Sequence, residues 1–178
     1  ADGYLWFATW EGLVRYNGLE FTVIDRSTRP GLPDNGVGAL YVDHDDALWL
    51  SDARGNLVRH GADGHWRQWP RRADWPQALI HGMTMDADGR MWLLFEGHGL
   101  GCLWPDGRFD YFPPQAGVPL QSSFPRMVFD GRGRLLIGTL DGLIYREPDG
   151  RMHRAPAAFG LPPGLAWPYR APDGTVWV

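Results

Sequence analysis

The sequence predicts an all-β protein built from one repeated unit of four short strands. Three observations carry this prediction: a tryptophan motif recurs at a fixed period, Asp-Gly or Asn-Gly pairs separate short apolar runs, and no stretch shows a helical period. The motif begins at Tyr4-Leu5-Trp6 and recurs around Trp49, Trp92, Leu136 and Trp177. Successive copies are 43, 43, 44 and 41 residues apart, a spacing typical of repeat proteins.

Each period reads as four strands joined by tight turns. An Asp-Gly pair such as Asp63-Gly64 predicts a hairpin, because both residues tolerate the positive φ of the turn. In the second period the predicted strands are Val37–Val42, Leu48–Ser51, Leu57–His60 and His65–Trp69. The other predicted first strands are His81–Asp86, Pro125–Asp130 and Ala166–Ala171. The other predicted third strands are Gly12–Tyr16, Gly99–Trp104 and Gly142–Arg146. The other predicted fourth strands are Leu19–Ile24, Arg108–Phe112 and Arg151–Arg154.

A four-stranded sheet of this composition has two apolar faces, so neighbouring copies must stack face to face, which a β-propeller achieves by radial repetition. We therefore predict a β-propeller fragment of about four blades of four antiparallel strands, part of a larger ring of seven. The repeated tryptophan is the expected wedge between blades and buries on the order of 200 Å². The predicted blades are 1–35 (incomplete), 36–79, 80–122, 123–163 and 164–178, the last being the start of a further blade.

The sequence at the two ends of the chain predicts unpaired sheet edges. The chain begins inside a repeat, in a blade without its inner strand, and stops within a strand motif, so we expect a piece of a longer protein. Unpaired edges of sheets invite pairing with another chain. We therefore expect two copies to associate through their open blade edges.

Composition argues against several classes of function. The net charge is −4 and the basic residues form no stripe, which argues against a nucleic-acid partner. Cys102 is the single cysteine, so no intramolecular disulfide can form. No apolar run approaches the roughly 20 residues of a membrane helix, and we expect this segment to make no membrane contact.

One pattern joins Leu5–Thr9, Gly12–Gly18 and Gly31–Val37, is repeated by Leu136–Tyr145, and runs over essentially the whole chain. This pattern resembles the two-component regulator propeller repeat. Departures occur at Ser51-Asp52, Leu94-Phe95 and Leu136. The resemblance implies the periplasmic sensor domain of a bacterial hybrid histidine kinase or diguanylate cyclase receptor in the inner membrane. It implies binding of a small molecule or peptide and no catalysis by this domain.

Catalytic and metal motifs are weak. The turns Asp43–Asp46 and Asp86–Gly89 resemble the opening of a calcium loop, but the later ligands are missing. Aspartates in such turns usually accept backbone hydrogen bonds, and that is the interpretation we favour. The histidines show no paired ligand spacing, and no serine lies in a nucleophile motif. We therefore predict no metal and no cofactor.

Candidate ligand-binding residues lie at the end of the blades that carries the second-to-third-strand turns and the blade-to-blade loops, where propellers usually bind ligands. Trp10, Trp75 and Trp104 lie outside the repeat register, so we expect them to be available to a surface. Solvated turn residues are the alternative interpretation of the whole set. The predicted site residues are Trp10, Glu11, Asp52, Arg54, Trp75, His81, Glu96, His98, Arg126 and Asp141.

Two other functions stay open at this point. A lyase-type propeller enzyme would place a metal and a histidine near the central channel, and Glu96 with His98 is the nearest candidate pair. A scaffold would bind other proteins through one face of the blades.

Overall fold

The computed structural model describes residues 3–28, 32–114, 126–156, 159–161 and 164–178. The described residues form seventeen β-strands and contain no helix that could cross a bilayer. All pairings between strands are antiparallel, and within each sheet the strands are neighbours in chain order. The fold is therefore all-β, as predicted. By contact density the chain divides into two compact units, one ending at Ile80 and one beginning at His81.

Unit 1 contains two sheets. Sheet 1 has three strands and lacks an inner strand, as the sequence predicts. Its strands are β1 (Leu5–Thr9), β2 (Gly12–Tyr16) and β3 (Phe21–Ile24). Sheet 2 has four strands, namely β4 (Val37–Val42), β5 (Leu48–Asp52), β6 (Leu57–His60) and β7 (Trp66–Trp69).

Unit 2 contains two four-stranded sheets and a two-stranded sheet, and its β8 begins at the last residue of unit 1. Sheet 3 comprises β8 (Ile80–Met85), β9 (Met91–Phe95), β10 (Gly99–Leu103) and β11 (Phe109–Phe112). Sheet 4 comprises β12 (Met127–Phe129), β13 (Leu135–Thr139), β14 (Gly142–Arg146) and β15 (Met152–Arg154). Sheet 5 comprises β16 (Tyr169–Arg170) and β17 (Val176–Trp177). Residues 115–125, with the start of the predicted strand Pro125–Asp130, lie outside the described residues.

Successive side chains of a strand point to opposite faces, which gives every sheet a front and a back. We call the face that carries the motif residue Trp6, Trp49, Trp92, Leu136 or Trp177 the front face, and the opposite one the back face. In unit 1 the front of sheet 1 packs on the back of sheet 2. This core contains Leu13, Ile24, Leu32, Val37, Leu48, Leu50 and Val58, with Trp6, Leu40 and Trp66 packed against it.

Unit 2 repeats the same front-to-back packing. The front of sheet 3 meets the back of sheet 4 in a core of Trp92, Leu94, Leu100, Cys102, Met127, Leu135, Ile137, Ile144 and Met152. The front of sheet 4 in turn carries Leu136 and Leu143, which form a second core with Ala166, and the back-face residue Val176 of sheet 5 packs against this core. Burial of this apolar surface holds the sheets together, because a single four-stranded sheet cannot keep both faces dry.

The motif tryptophans act as predicted at the joints within each unit. Trp6 meets His60 of sheet 2 edge-on with ring centroids 5.9 Å apart, and Trp92 meets Phe129 of sheet 4 at 6.2 Å. Leu136 takes the equivalent place in sheet 4 and is buried. The prediction that this position forms a wedge between blades is therefore confirmed at these joints.

Candidate functional site

The Asp-rich turns between first and second strands are shaped by hydrogen bonds to their own aspartates. Asp43 is buried, and its Oδ1 accepts hydrogen bonds from the backbone N–H groups of Asp45 and Ala47, both at 2.9 Å. Its Oδ2 accepts the indole N–H of Trp49 at 2.8 Å and lies 3.4 Å from the Arg59 Nε. The favoured interpretation of these aspartates, as acceptors of backbone hydrogen bonds, is confirmed for Asp43.

The electrostatics of this turn follow from the same contacts. Burial alone would raise the pKa of Asp43, but hydrogen bonds from Trp49 and from the backbone, with the nearby Arg59 charge, outweigh it. The net result is a pKa below the ordinary value of 3.8. Asp43 is therefore a fixed carboxylate in the neutral range and accepts bonds from its own turn.

The arrangement recurs in unit 2. Asp86 accepts the indole N–H of Trp92 at 2.8 Å and the Nε–H of Arg90 at 2.6 Å. Asp130 accepts Arg134 Nε–H at 2.7 Å, but it has no indole to bind because Leu136 occupies the tryptophan position. In the described residues, no three His, Cys, Asp or Glu side chains lie close enough to hold a metal ion.

Consecutive turns of a meander alternate between the two ends of its strands. We call the end with the first-to-second and third-to-fourth turns the hairpin end, and the end with the second-to-third turns and inter-sheet connections the loop end. All ten predicted site residues lie at the loop end, five in each unit.

The loop end of unit 1 brings Trp10 and Arg54 onto one exposed surface. Trp10 is 73% exposed and packs over Gly36, where an added Cβ would lie 3.3 Å from the indole ring. Gly36 in turn accepts a backbone hydrogen bond from Ala53 at 2.8 Å, which places the Arg54 turn beside Trp10. The Arg54 Nε pairs with Asp34 Oδ2 at 2.6 Å and the Arg54 side chain is largely exposed. An aromatic platform next to an Arg–Asp pair could contact a polar ligand.

Of the other predicted site residues of unit 1, Asp52 and Trp75 are buried and Glu11 is exposed. Asp52 is only 1% exposed, and its carboxylate accepts backbone hydrogen bonds from Arg54 and Asn56, so it shapes the turn. Trp75 is only 3% exposed, and the expectation that it is available to a surface is therefore wrong. Trp75 lies in the connection between β7 and β8, and its backbone N–H donates to the Arg72 carbonyl at 3.2 Å. Glu11 is exposed in the turn after β1.

The loop end of unit 2 brings His81, Glu96 and His98 into a loose group. The His81 Nε2 lies 3.7 Å from a Glu96 carboxylate oxygen, while the His98 Nδ1 contacts the Glu96 backbone oxygen at 2.6 Å. The Tyr111 hydroxyl donates to the His98 carbonyl at 2.5 Å. These contacts fix the turn between β9 and β10 and leave the Glu96 carboxylate half exposed.

The last two predicted site residues of unit 2, Arg126 and Asp141, make different contacts from this group. The Arg126 guanidinium lies 5.7 Å from the Trp167 ring centroid, within the range of a cation–π contact. Asp141 is exposed in the turn after β13, and its backbone N–H donates to Thr139 Oγ1 at 3.3 Å. Which of the ten residues bind a ligand stays a prediction.

A concave site that the sequence did not predict lies at the hairpin end of unit 1. It is a cleft of about 370 Å³ between sheets 1 and 2. Its aromatic lining residues are Tyr4, Trp6 and His60, and its aliphatic ones include Val42 and Leu48. The turn residues Asp46, Gly61, Ala62 and Gly64 complete the lining.

Two of the aromatic rings that line the cleft, those of His60 and Tyr4, pack against neighbouring side chains. The His60 ring stacks on Trp66 with centroids 4.4 Å apart and planes within 1° of parallel. The Arg15 guanidinium lies 4.4 Å from the centroid of the Tyr4 ring. Rings fixed in this way lose little conformational freedom when a ligand packs on them. The cleft suits a small molecule that offers an apolar face to the rings and polar groups to the turn backbone and to Asp46.

No protein-family model matches the sequence, and no curated protein matches it. Solved structures do match. The extracellular domain of the putative hybrid two-component system BT3049 from B. thetaiotaomicron has a TM-score of 0.73 and 19% identity, covering 99% of this chain and 25% of that one. The extracellular domain of the putative one-component system BT4673 from the same organism has a TM-score of 0.68 and 19% identity, with 98% and 24% covered.

Enzymes share the fold as well. A streptogramin B lyase matches with a TM-score of 0.69 and 18% identity, covering 99% of this chain and 58% of that one. The virginiamycin B lyase of Staphylococcus aureus gives the same TM-score at 17% identity and covers 59% of that chain. This chain thus spans about a quarter of the sensor structures and under three-fifths of the lyases. Its fold is that of a fragment of a larger β-propeller, as predicted.

Proposed function

We propose that this chain is part of the extracytoplasmic, ligand-sensing region of a bacterial signalling receptor and performs no catalysis itself. The observation that carries the proposal is the match to extracellular domains of one-component and hybrid two-component systems over 98–99% of the chain. The repeat resemblance agrees with it and adds a histidine kinase or diguanylate cyclase as the output. The periplasm is the corresponding location.

The aromatic cleft of unit 1 is the binding site in this proposal. It lies at the joint of two sheets, so a ligand that touches Trp6 on one sheet and His60 on the other stabilises their packing. A ligand shifts a conformational equilibrium only by its difference in affinity for the two states. A compound that bridges the two sheets has such a difference, because it loses half of its contacts when they separate.

Thermal unfolding of the purified chain with separate probe compounds tests this site. The panel consists of free amino acids, short peptides, and mono- and disaccharides. We expect at least one of them to raise the Tm, by about 5–11 °C at a hundredfold excess over its Kd. Ala62→Tyr should abolish that shift, since Ala62 is exposed and lines the cleft. Ala87→Tyr is the matched control, an exposed alanine in a hairpin-end turn of sheet 3.

The loop-end surface provides the second arm of the experiment. Trp10→Ala removes its exposed aromatic platform without opening a core, because Trp10 is 73% exposed. If the shift disappears in Trp10→Ala and survives in Ala62→Tyr, the ligand binds at the loop end and the proposed cleft is wrong. If no compound of the panel changes the Tm, ligand sensing by this segment is contradicted.

A propeller lyase is the second candidate, and the match to streptogramin B lyase favours it. The test incubates the chain with a streptogramin B antibiotic, with added divalent cation and separately with a chelator, and follows substrate loss by mass spectrometry. Turnover that depends on the cation would make the enzyme the better interpretation. Intact antibiotic under both conditions agrees with the sensor proposal.

A further inference from the structure

One arginine enters the apolar joint between sheets 3 and 4 of unit 2. Arg146 is the last residue of β14 and lies between Leu135 and Met152 in the ladder of sheet 4, so its side chain leaves from the back face. Leu135 and Met152 are both buried in the core that sheet 4 forms with sheet 3. Arg146 itself is only partly exposed, so a positive charge is held within this joint.

Two aromatic rings of sheet 3 contact the guanidinium group. Its central carbon lies 4.8 Å from the ring centroid of Trp92 and 4.7 Å from that of Phe112. The two rings stack on each other with their centroids 5.6 Å apart. Both distances from the guanidinium are within the range of a cation–π contact. The rings therefore fix the position of the charge, but they bring no negative charge of their own.

The guanidinium uses few of its five N–H donors. Within the described residues, the Arg146 side chain makes one hydrogen bond, from Nη1 to the Glu147 carbonyl at 3.4 Å, and no ion pair. Other arginines at the hairpin end of the same two sheets each pair with an aspartate, at distances of 2.6 to 3.6 Å. These are Arg90, Arg108, Arg134 and Arg151. Arg146 therefore carries a charge that the described carboxylates leave unbalanced.

The turn after β14 leaves this group accessible. A Cβ added to Gly150 would lie 3.2 Å from Arg146 Nη2. Apart from this guanidinium and the turn itself, no atom of the described residues would lie within 4 Å of that Cβ. Because glycine has no side chain, the space beside Nη2 is open to an incoming group.

The electrostatics of the joint favour an incoming group with a single negative charge. Burial lowers the pKa of Arg146, the nearby Arg90 charge acts in the same direction, and Asp149 opposes them. A carboxylate supplies one negative charge and two oxygens that match two guanidinium N–H groups. A phosphate group carries close to two negative charges and would be repelled more strongly by Asp149.

The equivalent position in unit 1 lines the aromatic cleft. Arg146 lies opposite Leu135 in sheet 4 as His60 lies opposite Leu48 in sheet 2. His60 contacts the motif tryptophan of its joint, and Arg146 contacts Trp92 in the same way. The position beside the motif tryptophan thus presents a ring in one unit and a cation in the other.

We propose that the joint between sheets 3 and 4 binds a small organic acid, with the carboxylate on Arg146 and an apolar body against Phe112. Phe112 is only partly buried, so it has ring surface to offer to such a body. This site lies in unit 2 and goes beyond the cleft of unit 1. Its test uses other compounds and other variants, so either site can fail without the other.

An NMR titration of the tryptophan-labelled chain with sodium benzoate, at constant ionic strength, tests the proposal. We expect a saturable shift of the Trp92 indole N–H signal, because that ring contacts the guanidinium. The Trp49 signal of unit 1 serves as the internal reference and should not move. Benzamide, which has the same ring without the charge, and inorganic phosphate should each cause a much smaller shift at equal concentration.

Two matched variants locate the binding site. Arg146→Gln should weaken benzoate binding about tenfold or more, because the carboxylate loses its counter-charge and both N–H donors. Arg132→Gln is the control: it removes an exposed positive charge from the hairpin end of the same sheet and should leave the Kd unchanged. Nuclear Overhauser contacts between the benzoate ring protons and Phe112 in the wild type give a second measurement that needs no variant.

Several results would overturn the proposal. The Trp92 signal would stay fixed at every benzoate concentration, or Arg146→Gln would bind benzoate as tightly as the wild type. Equal shifts with benzamide would mean that the joint does not recognise charge, and tighter binding of phosphate would contradict the single-charge argument. If Arg146→Gln does not fold, as judged by circular dichroism, the contacts of benzoate with Phe112 decide, and their absence refutes the site.

Discussion

Replacement of Asp43 by asparagine tests whether the carboxylate-to-indole contact holds the turn of sheet 2 to its strand. Asparagine keeps an oxygen for the two backbone N–H groups that Asp43 Oδ1 accepts. Its amide nitrogen, however, would face the indole N–H of Trp49, which Asp43 Oδ2 accepts at 2.8 Å. Two donors then point at each other in a place where the Asp43 side chain is only 3% exposed.

The size of the effect follows from these contacts. A hydrogen bond to a charged group contributes about 1.5–3 kcal/mol, and a buried donor left without an acceptor costs about 1–3 kcal/mol. Because the two effects overlap, we expect a loss of about 3 kcal/mol in the free energy of unfolding. In a chain of this length that corresponds to a fall in Tm of about 6–12 °C.

The assay is urea unfolding of the wild type, Asp43→Asn, Trp49→Phe and the double variant. Phenylalanine removes the indole N–H, so Asp43→Asn should cost about 2 kcal/mol less in the Trp49→Phe background than in the wild type. A coupling below about 0.5 kcal/mol would refute the argument, because it would mean that the indole and the carboxylate act independently.

The same variant carries a prediction on pH. The pKa of Asp43 is lowered in the folded protein, so its contribution to stability is present above the ordinary value of 3.8 and is lost as the pH falls through the lowered pKa. Between pH 5 and pH 2 the wild type should therefore lose more stability than Asp43→Asn. Equal losses in the two proteins would contradict the assignment of this carboxylate.

Three further predictions concern the core. Gly138→Ala should destabilise the chain by about 2 kcal/mol or more in urea unfolding, because its Cβ would clash with the Ala166 backbone oxygen, whereas Gly131→Ala, with open space around it, should change little. Cys102 is buried and its pKa is raised to about 11 by burial, so at pH 8 it should react with a thiol reagent only on unfolding; fast reaction of the native chain would contradict this. Trp75→Ala should lower the free energy of unfolding by about 3–5 kcal/mol in a denaturant titration, as truncation of a buried indole does, and a loss below 1 kcal/mol would contradict its burial.

The repeat made the strands predictable. Residues around Trp49 and Trp92 share one pattern, so each copy supports the assignment of the others, and tight turns such as Asp63-Gly64 mark where the strands end. The order of strands in each sheet follows, because short turns leave only neighbouring strands free to pair. The stacking of one sheet on the next was predictable from the two apolar faces of each.

The candidate site was less predictable, for two physical reasons. Trp75 lies in the connection between β7 and β8, and a connection has no strand period from which burial can be predicted. The cleft joins Tyr4 and Trp6 to His60, more than fifty residues away, at an end of the strands where propeller ligands were not expected. One signal was available in advance: Asp43 and Asp86 each precede a motif tryptophan by six residues, which predicts the carboxylate-to-indole contact.

The indole N–H groups of Trp49 and Trp92, which donate to carboxylates, are also useful signals for NMR. An indole N–H that donates to a buried carboxylate at 2.8 Å should resonate downfield and exchange slowly with deuterium, unlike the N–H of the exposed Trp10. Trp49 belongs to unit 1 and Trp92 to unit 2, so two cross-peaks follow the two units separately. Labelling tryptophan alone with ¹⁵N would therefore show which unit responds first when a compound is titrated or denaturant is added.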